Sequence, residues 1–117
     1  MLTFTTYTQK EFQPGKYMAV IDSAVQDEGK FGTQLKLTFI VLIPETNENV
    51  TIMEWVKPQI STKYPLFSDL LTLLGIVGEE GEFDETKLVG RDCIVDTQLK
   101  PGKDGMNYLR VIRVTKK

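Results

Sequence analysis

Apolar and polar positions alternate along this chain with two different periods, and each change of period marks the end of an element. From Lys16 to Gln26, Tyr17, Ala19, Ile21 and Val25 fall on one side of an extended segment, which predicts a first strand. Asp27 to Gly32 reads as a turn-rich loop. The second strand is expected over Thr33 to Ile43, with Leu35, Leu37, Phe39, Val41 and Ile43 facing one way and Gln34, Lys36 and Thr38 the other. Its far end, with Ile40 and Leu42, is apolar on both faces, as in a strand crossing a small closed barrel. After the polar connection Pro44 to Asn49, Val50 to Lys57 predicts a third strand, with Val50, Ile52 and Val56 on one face and Thr51, Met53, Trp55 and Lys57 on the other.

Helical spacing then takes over. Leu66, Phe67, Leu70, Leu71, Leu73 and Leu74 form an apolar stripe between Pro65, suited to a first turn, and Gly75, suited to the stop; Leu70, Leu71 and Leu74 are assigned to the core. Two further strands are expected, Arg91 to Leu99 and Met106 to Val114, joined through the hairpin signal Lys100 to Gly105. The order is therefore three strands, one short helix and two strands.

Composition narrows the chemistry. With 117 residues, 41% hydrophobic and 26% charged, the chain fits one globular domain. There is no histidine, which removes the usual general base near neutral pH and the Ser-His and Cys-His nucleophile pairs, so the chain is expected not to be an enzyme. The single cysteine, Cys93, lies in an apolar strand and reads as a small buried hydrophobe in a reduced compartment. Neither a metal nor a cofactor is expected. The longest apolar stretch, Phe39 to Ile43, is far short of the about 20 residues that span a bilayer, and no signal-peptide pattern opens the chain, so a soluble, cytoplasmic protein without membrane contact is expected.

Net charge is −2, which by itself argues against a polyanion partner. Its distribution changes that picture. Five of the 16 acids lie between Glu79 and Glu85 with no base among them, leaving 14 basic and 11 acidic residues elsewhere, a net +3. The acidic run reads as a solvated loop, since its spacing lacks the order of a calcium-binding loop.

The order of elements from about Gly15 to Val114 resembles the five-stranded OB-fold barrel, β-β-β-α-β-β, an all-β fold with one short helix. More particularly, Gly15-Lys-Tyr, Gly32-Thr-Gln-Leu-Lys-Leu-Thr-Phe, Trp55-Val-Lys-Pro, Leu70-Leu-Thr-Leu-Leu-Gly75 and Leu88-Val-Gly-Arg-Asp-Cys-Ile-Val95 resemble small phage-type single-stranded DNA-binding proteins. The resemblance implies an OB-fold domain over residues 15–117 behind an N-terminal arm, and sequence-independent binding of single-stranded DNA in phage replication or recombination. It also implies a homodimer or higher homo-oligomer, replication or recombination proteins as partners, and the host cytoplasm as location. Such proteins stack bases on exposed aromatics between lysines and arginines that follow the phosphates. The matching positions here are Lys30 and Phe31 in the first loop, Lys36, Trp55 and Lys57 on the polar faces of strands two and three, Lys100 and Lys103 in the last hairpin, and Tyr108 and Arg110 beyond it. Many bacterial members end in an acidic tail, whereas this chain ends Arg113-Val-Thr-Lys-Lys117.

Blander readings stand beside these. Trp55 is either core or a stacking platform, Tyr108 either a cross-strand packing partner or a ligand contact, and each lysine on its own is ordinary solvated surface. The arm carries Phe4, Tyr7 and Phe12 and could pair with another subunit's sheet edge or with its own sheet. A protein-interaction or assembly module on the same barrel is the alternative function.

Overall fold

A computed structural model of the chain describes residues 1–4, 13–30, 32–78 and 80–117. The elements are β1 (Lys16–Gly29), β2 (Gly32–Ile43), β3 (Glu48–Val56), α1 (Leu66–Leu73), a 3₁₀ turn (Glu85–Leu88), β4 (Asp92–Pro101) and β5 (Asn107–Lys116). The strands form one antiparallel sheet in the order β3-β2-β1-β4-β5. The mostly-β architecture with a single short α-helix between the third and fourth strands matches the sequence reading. Among the described residues, no backbone ladder joins the two edge strands β3 and β5. Of the arm, Met1, Leu2 and Phe4 are exposed, while Tyr7 and Phe12 lie outside the described residues.

Alternation fixes the inner face. Leu35, Leu37, Phe39, Val41 and Ile43 of β2 are all buried, with Ile21, Cys93 and Val95 of the neighbouring strands fully enclosed beside them. Two details depart from the pattern read from sequence. The β1–β2 register slips between Ile21 and Ser23, so Ala24 takes the core side and Val25 is half exposed, because one extra residue inverts the parity of every side chain after it. The far end of β2 is not buried on both faces either: Leu42 is 41% exposed, because its outer face has no second layer over it.

Helix α1 ends in a Schellman motif. Gly75 adopts φ +73°, its N–H donates to Thr72 O at 3.0 Å, and the Ile76 N–H donates to Leu71 O at 2.9 Å. Pro65 occupies the N-cap rather than the first helical position. Leu66, Phe67, Leu70 and Leu73 are buried, but Leu71 and Leu74 are only half-buried, since an eight-residue helix lying on one sheet covers a single stripe. The end of the acidic run is built into structure: the Asp84 carboxylate caps the 3₁₀ turn, accepting from the Thr86 N–H at 3.1 Å and hydroxyl at 2.6 Å, which holds its carboxyl below the usual range. Cys93 is fully enclosed and burial pushes its thiol up to about 11, an inert packing residue as expected. No described helix is long and apolar enough to cross a membrane.

The free edge of β5 is held by side chains. Glu54 breaks the apolar series of β3's inner face and is itself buried; its carboxylate accepts from Arg110 Nε at 2.8 Å, Arg110 Nη2 at 2.7 Å and the Val111 N–H at 3.0 Å. Asp69 of α1 repeats the arrangement three residues on, accepting from Arg113 Nε at 2.8 Å, Arg113 Nη2 at 2.9 Å and the Val114 N–H at 3.0 Å. Strand β5 is thus tied to β3 and to α1 through carboxylates where a neighbouring strand would otherwise supply carbonyls.

Candidate functional site

Between the outer face of β3 and the β4–β5 hairpin runs a groove of about 720 Å³. Thr51, Met53 and Trp55 line it from β3, and Lys100, Met106, Tyr108 and Arg110 line it from the hairpin. Trp55 projects there because it alternates with the inward Glu54 and Val56; it is 48% exposed, so it is not a core residue. Its direct cross-strand neighbour is Lys36, whose Nζ lies 5.6 Å from the indole centroid. That contact places a cation over a π-face at the groove's border.

The second aromatic is oriented by its own hairpin. Tyr108 lies directly opposite Lys100 and is 46% exposed. Its hydroxyl donates to Asp104 Oδ2, while Asp104 Oδ1 accepts the Met106 N–H at 3.0 Å. These bonds hold the Asp104 carboxyl below its usual range, and the same Tyr108–Asp104 bond raises the phenol above its own. The ring lies against Gly102, where a Cβ would sit 2.6 Å from Cε2 and 2.9 Å from Cδ2. Only glycine leaves the ring that place.

Arg110 has a commitment that its position in the sequence did not announce. Its guanidinium forks onto Glu54, a bond that raises its affinity for the proton further, and its side chain remains 45% exposed on the groove wall. The structure therefore gathers Trp55, Lys100, Tyr108 and Arg110 around one groove with Lys36 beside Trp55, and it leaves three expected contacts elsewhere. Lys30 sits at the tip of the β1–β2 hairpin, Lys57 follows the end of β3, and Lys103 lies in the last turn; all are exposed and none lines the groove. Phe31 lies outside the described residues.

Sequence reasoning missed Met53 and Met106, two exposed apolar side chains that line the groove, and the positioning pairs Glu54–Arg110 and Asp104–Tyr108. A signal for the first pair existed: an acid at an inward strand position must find a donor. Among the described residues, no three metal-ligating side chains gather. No protein-family model matches the chain, and no curated protein matches it.

Proposed function

We propose that the groove binds single-stranded DNA without regard to base sequence, as a non-catalytic component of replication or recombination, and that the sheet is an OB-type barrel whose seam lies between β3 and β5. One observation carries the reading: each wall presents an exposed aromatic with a lysine directly across the strand pair, Trp55 with Lys36 and Tyr108 with Lys100. A base on either ring would have its phosphate within reach of a cation, and a π-face accepts any base at about 1–3 kcal/mol. The strand order and the approach of β3 to β5 through Glu54 support the barrel.

A second reading has its own support. The chain is net acidic and the groove contains the exposed Met53 and Met106, adaptable apolar side chains suited to a protein segment. Titrating the chain with oligo(dT) while following Trp55 fluorescence separates the two. Quenching is expected, with a log–log salt slope of about −0.7 for each phosphate contacted; Tyr108→Ala by the same signal, and Trp55→Ala by the anisotropy of a labelled oligo(dT), should each show weaker binding without unfolding of the sheet. Folded protein that leaves Trp55 emission unchanged at low salt overturns the DNA reading and favours a protein ligand.

A further inference from the structure

A second groove, of about 430 Å³, lies beside α1 and shares no lining residue with the groove of Trp55 and Tyr108. Ile60 enters it from the connector after β3, Leu71 from α1, and Ile76 and Phe83 from the chain that follows the helix. Much of this apolar lining stays open: Ile60 is 50% exposed, and Leu71, Ile76 and Phe83 are only half-buried. Two contacts hold it in shape. Phe83 packs edge-on against Phe67 of α1, ring centroids 5.2 Å apart, and the Schellman bond from the Ile76 N–H to Leu71 O ties the chain leaving the helix back to it. The segment after α1 is thus fixed to the helix at both ends, with Glu82 next to the anchored Phe83.

The rim selects the partner. Among the described residues, Glu80 and Glu82 are the charged side chains that line this groove; both are exposed, and neither meets a base or a hydrogen-bond donor. Asp84, by contrast, is committed to Thr86. Lys57 and Lys63, at either side of the connector, do not line the groove, and the Lys63 ammonium lies 5.4 Å from the Tyr64 ring centroid. An apolar groove rimmed by carboxylates repels phosphate and favours an apolar segment flanked by cations, whose ion pairs form beside a surface that excludes water. A second copy fits poorly. The arm over residues 1–13 carries one base, Lys10, and one acid, Glu11, so its side chains have no net charge, and the basic residues at the other end, up to Lys116, are held in β5.

We propose that the groove beside α1 docks a segment of a partner protein in which apolar side chains are flanked by lysine or arginine. The proposal is independent of what the Trp55 and Tyr108 groove binds.

Panning a random peptide library displayed on phage against the full chain tests it. Selected peptides should carry an apolar cluster flanked by bases, and their synthetic, labelled forms should bind wild type by anisotropy with an affinity that falls as salt rises. Ile60→Ser and the double variant Glu80→Lys with Glu82→Lys, all at exposed positions and folded by circular dichroism, should each weaken that binding several-fold or more, whereas Trp55→Ala should leave it unchanged. Failure to enrich any peptide overturns the proposal, as does enrichment of peptides without bases. Binding that Ile60→Ser does not weaken is charge attraction outside the groove, and binding that oligo(dT) displaces or Trp55→Ala abolishes belongs to the other groove; either result overturns it. So does self-association of the wild-type chain that Ile60→Ser abolishes, which gives the groove to a second copy.

Discussion

Glu54 and Asp69 perform the same task on β5 from different settings. Each receives an arginine fork and the backbone N–H of the following residue, and in both pairs the acid is the enclosed member: Glu54 keeps 6% of its side-chain exposure and Asp69 11%, against 45% and 51% for Arg110 and Arg113. Asp69, however, sits in the first turn of α1, where unpaired N–H groups and the helix dipole favour a negative charge. Glu54 sits in mid-strand, and the fork and the Val111 N–H are its recorded partners. Identical hydrogen bonds therefore differ in consequence: what matters is what remains to stabilise the acid when one partner is taken away.

The sharpest break comes from the exposed side of the Glu54 pair. Arg110→Ala leaves a carboxylate enclosed with one N–H for company, and such an orphaned buried charge costs about 3–5 kcal/mol. Glu54→Ala should cost less, about 1–3 kcal/mol for the unsatisfied Val111 N–H, because the freed guanidinium can turn to water. The double variant should then be more stable than Arg110→Ala alone. Urea denaturation of the four proteins measures the cycle. If Arg110→Ala proves milder than Glu54→Ala, the enclosed acid is not the liability that this comparison makes it.

Asp69→Ala is the next step down, at about 1 kcal/mol, since the helix end loses a favourable charge and Val114 loses its acceptor while no buried charge is stranded. Asp69→Asn should cost less again, because an amide oxygen can still accept the Val114 N–H. The same denaturation curves decide it, and equal losses for Asp69→Ala and Glu54→Ala would show that setting does not distinguish the two.

Much of the frame was legible in the order of residues, because period-two alternation and turn chemistry act locally: β2's inner face stands as read, and the last hairpin lies where it was expected, although β4 runs on through Lys100 and Pro101 to pair with Tyr108 and Asn107. The bulge near Asp22 was not legible, since a register slip is decided by pairing with β2 and leaves no mark within β1's own pattern. Leu71 illustrates a second limit: helical spacing says which residues share a stripe, not how wide a stripe the sheet will cover. At the site, Lys36 and Trp55 could be named because strand parity puts them outward, whereas Lys100 and Tyr108 were named only by their place in and beyond the last hairpin loop, and the structure puts Lys100 in β4 directly opposite Tyr108. The convergence of these four could not be named, and neither could the Glu54–Arg110 fork, which joins residues 56 positions apart.

The smallest effect on stability is expected at a third carboxylate, one that ties a strand to its own turn. Asp104 binds Tyr108 and Met106 within one exposed hairpin, so water can replace what Asp104→Asn removes, and the melting temperature should barely move compared with Arg110→Ala. Its signature lies in titration. Tyr108's phenol is raised above its usual value of about 10, so the bond's contribution is complete below that pH and is lost as pH climbs through the raised value. Asp104's carboxyl is lowered, so its share is present above about pH 4 and is lost as pH falls through the lowered value. Between those limits the ring stays where Gly102 and Asp104 place it. In Asp104→Asn the Tyr108 phenolate absorbance, isolated by difference against Tyr108→Phe, should appear at lower pH than in wild type, and affinity for oligo(dT) should fall although the fold is unchanged. A phenol titration identical in both proteins would mean that Asp104 does not hold the ring in solution, leaving Gly102 alone to orient it.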